Sequence, residues 1–476
     1  MKKWTILFLI LESAAAFAQD APVVLTVDGA VDYALKHSFQ LKSAAIDLEI
    51  QKRAKDNAWN SFLPGVNVSG TLSRSNEDTS GAMMESIAAM MNPLYGAVKG
   101  FHGTYLPPEF PASITIPEAE EKDLWRMVGT LSFSWSFNAA MIQNMRAVHA
   151  DYEAGLISWE QTQKQVELNV RKLFYGLLMM QESLKIQQAS LESARGRAEQ
   201  AEVNYRNGRI PQIQMLQAQV AYENQRPGIL KAEQAIDQQI ATFAFLLGFP
   251  SGTRIALDGS IDEEFLAASG DAQVNVDTEN LGSRTDLRFL SQNIAALRLR
   301  LSALNLSAYT PSLALSYNLQ PVAAFSSLDN ADLAWKDKWT DNGALSITLA
   351  WNLTNLLPFS STQQQAKDLK ANISKLLLQS DMLIEQAKNK ITSLMDSLEL
   401  SRSQIEANQR NVTLAQTAYT MTETSWRNGT TELLDLRDAE SSLNQAKLGV
   451  LNEKFNYLSA LLDLEYELNT KLIPGD

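Results

Sequence analysis

The chain contains no cysteine and only three histidines among its 476 residues. The lack of cysteine excludes disulfides, thiolate metal sites, cysteine nucleophiles and a lipoprotein-type lipid anchor. The histidines, His37, His102 and His149, are scattered without the spacing of metal ligands. A phosphate-cradling glycine loop and a nucleophile-elbow motif are also missing. We therefore predict no catalytic, cofactor-binding or metal site, and we expect that the protein is not an enzyme.

Long hydrophobic runs and an excess of positive charge are missing as well. Beyond the N-terminus, no apolar run reaches the roughly 18 residues that suggest a membrane-spanning helix. The formal net charge is -13, which argues against nucleic acid as a partner and against peripheral binding to anionic lipid. If the protein crosses a membrane, it must do so as a closed β-barrel, because only helices and closed barrels satisfy their backbone groups in lipid.

The N-terminus predicts export. Lys2 and Lys3 form a short basic region, Trp4 to Leu11 is mostly apolar, and Ala16-Phe17-Ala18 places small residues at the cleavage positions. We expect residues 1–18 to be a signal peptide and the mature chain to begin at Gln19. The alternative is a buried N-terminal helix.

Four segments alternate apolar and polar residues with a period of two, which is typical of β-strands with two different faces. Each has about the length of a tilted membrane strand. The segments are 66–74, 127–137, 312–320 and 344–353. Their polar positions are small and uncharged, as suits a wet lumen, and their apolar positions are rich in aromatic residues, as suits lipid. A soluble sandwich would place Lys and Glu at the polar positions, so the pattern favours membrane strands.

The strands form two pairs, and long loops, 75–126 and 322–341, join the strands of each pair. Outer-membrane barrels place their long loops outside the cell. Four strands are too few to close a barrel, since the smallest bacterial barrels need about eight. Closure therefore predicts that several chains share one barrel.

A long helical stretch without proline follows each strand pair, at 139–206 and 362–427. In both stretches a seam recurs in alternating steps of four and three residues, which predicts coiled-coil packing. The first seam is Val166, Val170, Leu173, Leu177, Met180, Leu184, Gln187, Leu191, Ala194, Ala198, Ala201 and Tyr205. The second is Ala387, Ile391, Leu394, Leu398, Ser401, Ile405, Asn408, Val412, Ala415, Tyr419, Thr422 and Trp426. Each member of the second seam lies 221 positions after its partner, which indicates an internal two-fold repeat.

The same offset continues through a turn, because Tyr205-Arg206-Asn207-Gly208 matches Trp426-Arg427-Asn428-Gly429. Glycine at a helix end supplies a left-handed C-cap, so we expect each long helix to reverse into a shorter one. The predicted first repeat covers 19–248, with an entry helix at 28–61 and a return helix at 211–247. A linker or equatorial segment over 249–282 follows. The predicted second repeat covers 283–468, with an entry helix at 283–308 and a return helix at 431–466, and a tail follows at 469–476.

These residues resemble the TolC family of outer-membrane efflux proteins over nearly the whole mature chain. The resemblance rests on Leu25 to Val31, Phe62-Leu63-Pro64, the paired aromatic-x-x-Gly turns followed by Leu216-Gln217-Ala218 and Arg437-Asp438-Ala439, and Leu246-Leu247-Gly248. It implies a mostly α fold with membrane β: long antiparallel coiled-coil helices, and four strands per chain in a shared 12-stranded trimeric outer-membrane barrel. Asn138-Ala139-Ala140 and Pro358-Phe359-Ser360 depart from the glycine pairs common in the family.

The resemblance also implies the function. It is that of a passive outer-membrane exit duct of a tripartite efflux or type I secretion system, with a tunnel that extends into the periplasm. The expected partners are a homotrimer, outer-membrane lipid, a periplasmic adaptor protein and an inner-membrane RND or ABC transporter, without nucleic acid. A periplasmic coiled-coil scaffold or adaptor, and an outer-membrane-associated enzyme that uses loop 75–126, are the alternatives.

The turns at the helix ends hold the candidate functional residues. Asp435 and Asp438 are three positions apart and share a helix face; the family places acidic residues there at a periplasmic gate, and Glu432 is an alternative lining residue. The other interpretation is a set of surface carboxylates stabilised by the helix dipole. Arg427 and Arg437 are candidate partners of the two aspartates. The candidate adaptor-docking residues are Tyr205, Arg206, Asn207, Gly208, Trp426, Arg427, Asn428 and Gly429; solvated turns, and core packing for the two aromatic residues, are the alternatives.

Overall fold

The computed structural model describes residues 22–76, 79–101, 125–269, 281–325, 339–340 and 342–472. The predicted signal peptide, most of the second half of loop 75–126 and the last residues of the predicted tail lie outside this part of the chain. The described residues fall into two compact units. The described residues within 1–55, 148–297 and 371–476 form a helical unit, and those within 56–147 and 298–370 form a sheet unit.

The elements are named here in chain order. The strands are β1 Val23–Leu25, β2 Gly65–Arg74, β3 Trp125–Phe137, β4 Ile255–Leu257, β5 Ser312–Leu319, β6 Val322–Phe325, β7 Trp339–Thr340 and β8 Gly343–Ala350. The α-helices are α1 Val27–His37, α2 Phe39–Asp56, α3 Thr79–Phe101, α4 Ala140–Arg206, α5 Gln212–Leu247, α6 Ile261–Ser269, α7 Thr285–Tyr309, α8 Ser361–Arg427 and α9 Leu433–Leu468. Short 3-10 helices cover Ala58–Phe62, Leu281–Ser283 and Leu353–Leu356.

The sheet unit is built around β3. This strand pairs antiparallel with β2 along one edge and with β5 and β6 along the other. On their far sides, β5 pairs with β8 and β6 pairs with β7. The six segments therefore form four antiparallel rows: β2, β3, β5 with β6, and β8 with β7. Among the described residues, the first and last rows each pair along one edge only.

The register places most of the large apolar residues of the four rows on one face, because directly paired residues lie on the same side of a sheet; Val128 and its partner Val322 lie on the other face. This apolar face comprises Val66, Val68, Leu72, Met127, Leu131, Phe133, Trp135, Phe137, Leu313, Leu315, Tyr317, Leu319, Leu345, Ile347 and Leu349. The opposite, polar face comprises mainly small residues: Asn67, Ser69, Thr71, Ser73, Thr130, Ser132, Ser134, Ser136, Ala314, Ser316, Asn318, Ala344, Ser346, Thr348 and Ala350. The separate alternations of the four segments thus combine into one two-faced sheet.

The third row is interrupted at Pro321, because proline has no N–H to donate to a ladder. Gly129 of β3 lies opposite the interruption, and its N–H donates to the Pro321 carbonyl oxygen at 2.9 Å. A side chain at Gly129 would meet Pro321 Cγ at 3.3 Å. Pairing resumes at Val322, so β6 and β7 lie in the region 322–341 that the sequence predicted to be a loop.

The strand ends and the other predicted loop also differ from the sequence prediction. β8 ends at Ala350 instead of residue 353, because the Asn352 side chain accepts a hydrogen bond from the Thr354 N–H at 3.1 Å and starts a 3-10 turn. β3 begins two residues earlier than predicted, at Trp125. Within loop 75–126, where the sequence has no clear periodicity, the structure has the helix α3.

The long helices α4 and α8 have 67 residues each, which corresponds to about 100 Å at 1.5 Å per residue. Their seam residues are buried or half-buried, except Tyr205, which is 38% exposed. Val166, Val170 and Ile391 are fully buried. The seam that the sequence predicted is therefore the packed side of both helices. Among the described residues, no helix is both long and apolar enough to cross a membrane.

The entry helix predicted at 28–61 is divided at Ser38. The Ser38 hydroxyl accepts a hydrogen bond from the Leu41 N–H at 3.2 Å and so starts α2 as a new helix. Gly248, at the end of α5, lies against this break with a φ of 91°. A Cβ at Gly248 would approach the His37 carbonyl oxygen to 2.3 Å, so both the backbone conformation and the close contact require glycine.

The predicted linker 249–282 contains ordered elements. β4 pairs in parallel with β1 from the start of the chain, and α6 follows it. Tyr175 of α4 is buried and donates a hydrogen bond to Glu264 of α6 at 3.1 Å. Burial and the nearby Glu264 carboxylate raise the pKa of Tyr175 above its usual value. The linker therefore packs on the core of the helical unit.

An ion-pair cluster at the start of α7 gives a stability prediction. Arg284 forms ion pairs with two carboxylates. Its Nη2 lies 2.8 Å from Asp286 Oδ2, and its Nη1 contacts Glu467 near the end of α9. Burial by itself would raise the pKa of Asp286, but the hydrogen bonds from Arg284 outweigh it, so the pKa lies below its usual value. A lowered pKa contributes stability that is present above the unfolded value of about 3.9 and is lost as the pH falls through the folded value.

We expect Arg284→Gln to lower the free energy of unfolding near pH 7 by about 2 kcal/mol, because two partly buried carboxylates lose their partner. The substitution should also weaken the pH dependence of stability below about pH 4. Thermal unfolding in detergent between pH 3 and pH 7 measures both effects. Arg195→Gln, at an exposed pair with Glu199, is the control and should change little. An unaltered pH dependence in Arg284→Gln would contradict the assignment.

Candidate functional site at the helix tips

Both long helices end in the same turn. Gly208 and Gly429 have φ values of 69° and 76°, in the left-handed region. The N–H groups of Arg209 and Thr430 donate to carbonyl oxygens five residues earlier, at 2.8 and 2.9 Å. This is the hydrogen-bond pattern of a Schellman C-cap, which satisfies the last carbonyls of a helix. The matching sequence of the two tips therefore produces matching backbone geometry.

The charged residues of the turns bind within their own helices. Arg427 Nη2 lies 2.6 Å from Glu423 Oε1, and Arg206 pairs in the same way with Glu202. Arg427 therefore does not bind the aspartates at the start of α9, and no ion pair joins them to Arg437 within the part of the chain that the structure describes. Asn207, Gly208, Asn428 and Gly429 are exposed.

The two aromatic residues of the turns differ in exposure. Tyr205 is exposed, whereas Trp426 is half-buried. The sequence predicted that both close their seams. Packing accounts for Trp426 better than for Tyr205, whose ring is available on the surface of this chain.

The three acidic candidates lie at the beginning of α9, and all are exposed. Glu432 is the N-cap residue, but its side chain makes no capping hydrogen bond. Asp435 belongs to the first turn of the helix, where a negative charge interacts favourably with the helix dipole. Leu436 between the aspartates is fully buried. It fixes the side of α9 that packs, so Asp435 and Asp438 remain on the surface.

A buried ion pair joins α4 to α9 near the tips. Arg197 Nη2 and Glu440 Oε2 are 2.5 Å apart, and their side chains are 10% and 9% exposed. Both residues are equally far in sequence from a glycine turn: Arg197 comes before Gly208, and Glu440 comes after Gly429. The pair therefore connects the two predicted repeats at one level, close to the exposed acidic residues.

The surroundings of this pair are small and tightly packed. Ala198, Ala201 and Ala218 form a buried cluster against which Leu433 of α9 packs. A cavity of about 10 Å³ beside Arg197 has room for about one water molecule at most. Burial, together with the nearby Glu423 and Glu440 carboxylates, raises the pKa of Tyr419 above its usual value.

Sequence reasoning missed the Arg197–Glu440 pair because it searched for residues shared by the two repeats. At the positions 221 residues away stand Ala418 and Gln219, so the pair has no counterpart in the other repeat. A comparison that asked for charges present in one repeat only would have found both residues, although not their contact.

Comparison with known proteins shows which class of protein has this arrangement. A crystal structure of CusC shares the fold with a TM-score of 0.69 and 15% identity, over 96% of each chain. The outer membrane protein VceC of Vibrio cholerae has a TM-score of 0.66 and 17% identity, over 94% of this chain and 96% of VceC. The CmeC outer membrane channel of Campylobacter jejuni has a TM-score of 0.68 and 15% identity, over 93% of this chain and 85% of CmeC. The fold is thus that of outer-membrane channel proteins.

Sequence comparison gives the family. Residues 30–249 match the family model described as outer membrane efflux protein. Nodulation protein T of Rhizobium leguminosarum bv. trifolii is 22% identical over 71% of this chain and 70% of that protein. This match covers a little under half of the chain, and the shared fold extends the similarity to outer-membrane channel proteins over nearly the whole chain. The predicted resemblance is confirmed, and the comparisons support the predicted outer-membrane exit duct and its location.

The buried pair gives a second stability prediction. We expect Glu440→Gln to lower the free energy of unfolding by about 3 kcal/mol, because the Arg197 guanidinium stays buried without its carboxylate. Replacing both residues by apolar ones, Arg197→Met with Glu440→Leu, should recover most of the loss. Denaturant unfolding of detergent-solubilised protein measures the three variants. Glu192→Gln, whose side chain is 75% exposed, is the control. If Glu440→Gln lowered the free energy of unfolding as little as the control Glu192→Gln, the pair would not stabilise the tips.

Proposed function

We propose that three copies of this chain form one passive duct. In this arrangement their sheets close into a single 12-stranded barrel in the outer membrane, and their helices form a tunnel in the periplasm. Exported substrates enter from a periplasmic adaptor protein and an inner-membrane RND or ABC transporter, which supplies the energy. The two strand-helix repeats of each chain would then contribute similar parts of the wall.

The register of the sheet is the observation that carries the barrel proposal. Four rows present aliphatic and aromatic side chains on one face, and Ser, Thr, Asn and Ala on the other. Val68, Leu345, Ile347 and Leu349 of the apolar face are 65% to 75% exposed in the single chain. An apolar face of this extent requires lipid or another protein to cover it. The small polar face fits a water-filled lumen.

The edges of the sheet support closure by several copies. β2 and β8 carry backbone N–H and C=O groups that no described residue pairs on their outer sides. Such groups are costly in lipid, so a membrane sheet has to close on itself. Four rows from each of three copies bring the sheet to a size at which bacterial barrels close. We infer that β2 of one copy pairs with the β8 row of the next.

The tips support the gate and docking proposals. Asp435 and Asp438 are exposed on α9, and Leu436 and Glu440 hold the other side of this helix in place. In a trimer, these aspartates would form a ring of negative charge that attracts cations. The exposed turn residues around Gly208 and Gly429 are the surface proposed to meet the adaptor protein.

Cysteine cross-linking tests the trimeric closure, since the chain has no cysteine of its own. We expect Ser69→Cys on β2 together with Thr348→Cys on β8 to give disulfide-linked trimers on mild oxidation, because the two edges of neighbouring copies meet. The pairing register between copies has to be found. Parallel variants therefore keep Ser69→Cys and carry the second cysteine as Ser346→Cys or Ala350→Cys instead of Thr348→Cys. Non-reducing electrophoresis of outer-membrane preparations measures the products.

Two controls make this test specific. Each single-cysteine variant should stay monomeric on denaturing gels. The pair Asn67→Cys and Ser132→Cys, which are direct partners within one chain, should form an intrachain bond without a change in mass. If every edge pair gives only monomers, or dimers that never extend to trimers, the proposed closure is wrong.

Ion selectivity tests the acidic ring. In planar bilayers, we expect Asp435→Asn with Asp438→Asn to lower the permeability ratio of potassium over chloride, because six carboxylates per trimer are removed. The effect should shrink at high salt, where charges are screened over about 3 Å at 1 M. Glu385→Gln is the control, because its side chain is 67% exposed and it lies on α8 far from the turn at Gly429. An unchanged reversal potential in a salt gradient would contradict a role of these aspartates in the pore.

A further inference from the structure

We propose that Arg126 forms a cationic ring in the lumen at the loop end of the barrel and favours the passage of anions there. The inference rests on the proposed trimeric barrel and names the charge preference of one level of its lumen. It depends on a single observation of register, namely which face of the sheet carries this residue.

The pairing of β3 places Arg126 on the polar face. Its direct partners are Ser73 on β2 and Ala324 on β6. The same face continues along β3 through Val128, which pairs with Thr71 and Val322, and then through Thr130, Ser132 and further serines. Both direct cross-strand neighbours of Arg126 are small, and Arg126 is exposed.

The charge of Arg126 stands out on this face. Among the described residues of the six sheet segments, the charged ones are Arg74 and Arg126. Small hydroxyl and amide side chains have no preference for the sign of an ion. Within the described sheet segments, Arg126 is therefore the one charged position on the polar face, and three copies place three positive charges around one opening. Rings of Arg or Lys are the usual feature of anion-selective pores.

Arg74 shows that a position near the loop end does not by itself put an arginine in the lumen. It is the direct partner of Trp125, next to Arg126 in the chain, and so belongs to the apolar face. Its guanidinium lies 6.0 Å from the centre of the Trp125 ring. An arginine beside an aromatic ring at the end of an apolar face is typical of a membrane interface, where the charge reaches the headgroup region. The two arginines are at neighbouring levels on opposite faces, which makes Arg74 a matched control.

Arginine side chains remain protonated in proteins. Carboxylates elsewhere in a pore lose their charge in acid. An anion preference that comes from Arg126 should therefore persist at low pH. This separates it from any selectivity due to the aspartates of the helix tips.

The experiment is a measurement of reversal potentials in planar bilayers with a potassium chloride gradient. We expect Arg126→Gln to lower the permeability ratio of chloride over potassium about two- to three-fold at 0.1 M salt, given three charges at about 10 Å and the screening at that concentration. Arg126→Glu should lower it further, and Arg126→Lys should keep the wild-type ratio. Arg74→Gln should have no effect on the ratio.

A second measurement uses the absence of native cysteine. Arg126→Cys should show the lowered ratio, a positively charged thiol reagent should restore it, and a negatively charged reagent should lower it beyond the unlabelled variant. Because one protein is measured before and after labelling, altered folding of a variant cannot explain the result.

The outcomes separate this inference from the proposed function. If the pore conducts and Arg126→Gln and labelled Arg126→Cys keep the wild-type ratio, Arg126 does not set selectivity and the exit duct stands. If Arg74→Gln shifts the ratio and Arg126→Gln does not, the two faces are assigned the wrong way round and the inference is overturned. If the wild-type protein forms no pore, the proposed duct fails and this inference fails with it.

Discussion

An antiparallel strand directs successive side chains to opposite faces, and pairing keeps opposed residues on the same face. In this protein the whole sheet unit depends on that constraint. A slip of one residue between β3 and β5 would move Leu313, Leu315 and Tyr317 into the polar face and the serines into the apolar face. The tryptophans at the strand ends help to hold the register: Trp135 donates its indole N–H to the Phe62 carbonyl oxygen at 2.9 Å, and Trp351 donates to that of Ala308 at 3.2 Å. Each joins a strand end to the segment that enters the sheet. The interruption at Pro321 is tolerated because Gly129 leaves room and still donates its hydrogen bond.

The helical unit depends on a different repeat. A seam of period 3.5 keeps one side of each long helix against its neighbours over many turns. Leucine, isoleucine and valine fill the seam in its middle, whereas alanine replaces them at Ala194, Ala198 and Ala201 near the tip. Small residues let helices approach closely but bury little apolar area, so they stabilise the tip less than leucine would. The Arg197–Glu440 pair supplies a directional contact at this level. A tip that is held by few apolar contacts and one ion pair costs less to rearrange than the middle of the seam, which suits a region proposed to act as a gate.

The features that the sequence predicted best are periodic and local. The alternation of strands and the seam of the helices repeat every few residues, so each contains many independent observations of the same face. The glycine turns were predicted because only a left-handed residue ends a helix in this way. The features that the sequence did not predict depend on partners far away in the chain. β1 forms only because β4 follows more than two hundred residues later, and the close approach of Gly248 to His37 joins segments that are equally far apart in the chain. In the candidate site, the exposed position of the acidic residues follows from helix periodicity, but the contact of Arg197 with Glu440 does not.

The scarcity of charge on the sheet gives each remaining charge its meaning. A strand residue that faces lipid cannot carry a charge except near an interface, where the side chain reaches water, and Arg74 satisfies this condition beside Trp125. A strand residue that faces a lumen has no such restriction, because water solvates it at any depth. The neutral composition of most of the polar face is therefore not imposed by the membrane. Since serine, threonine and asparagine line it almost throughout, this wall interacts weakly with substrates of either sign. In the proposed pore, selectivity is therefore confined to the few levels of this wall at which a charge occurs, and we propose that Arg126 defines one of them.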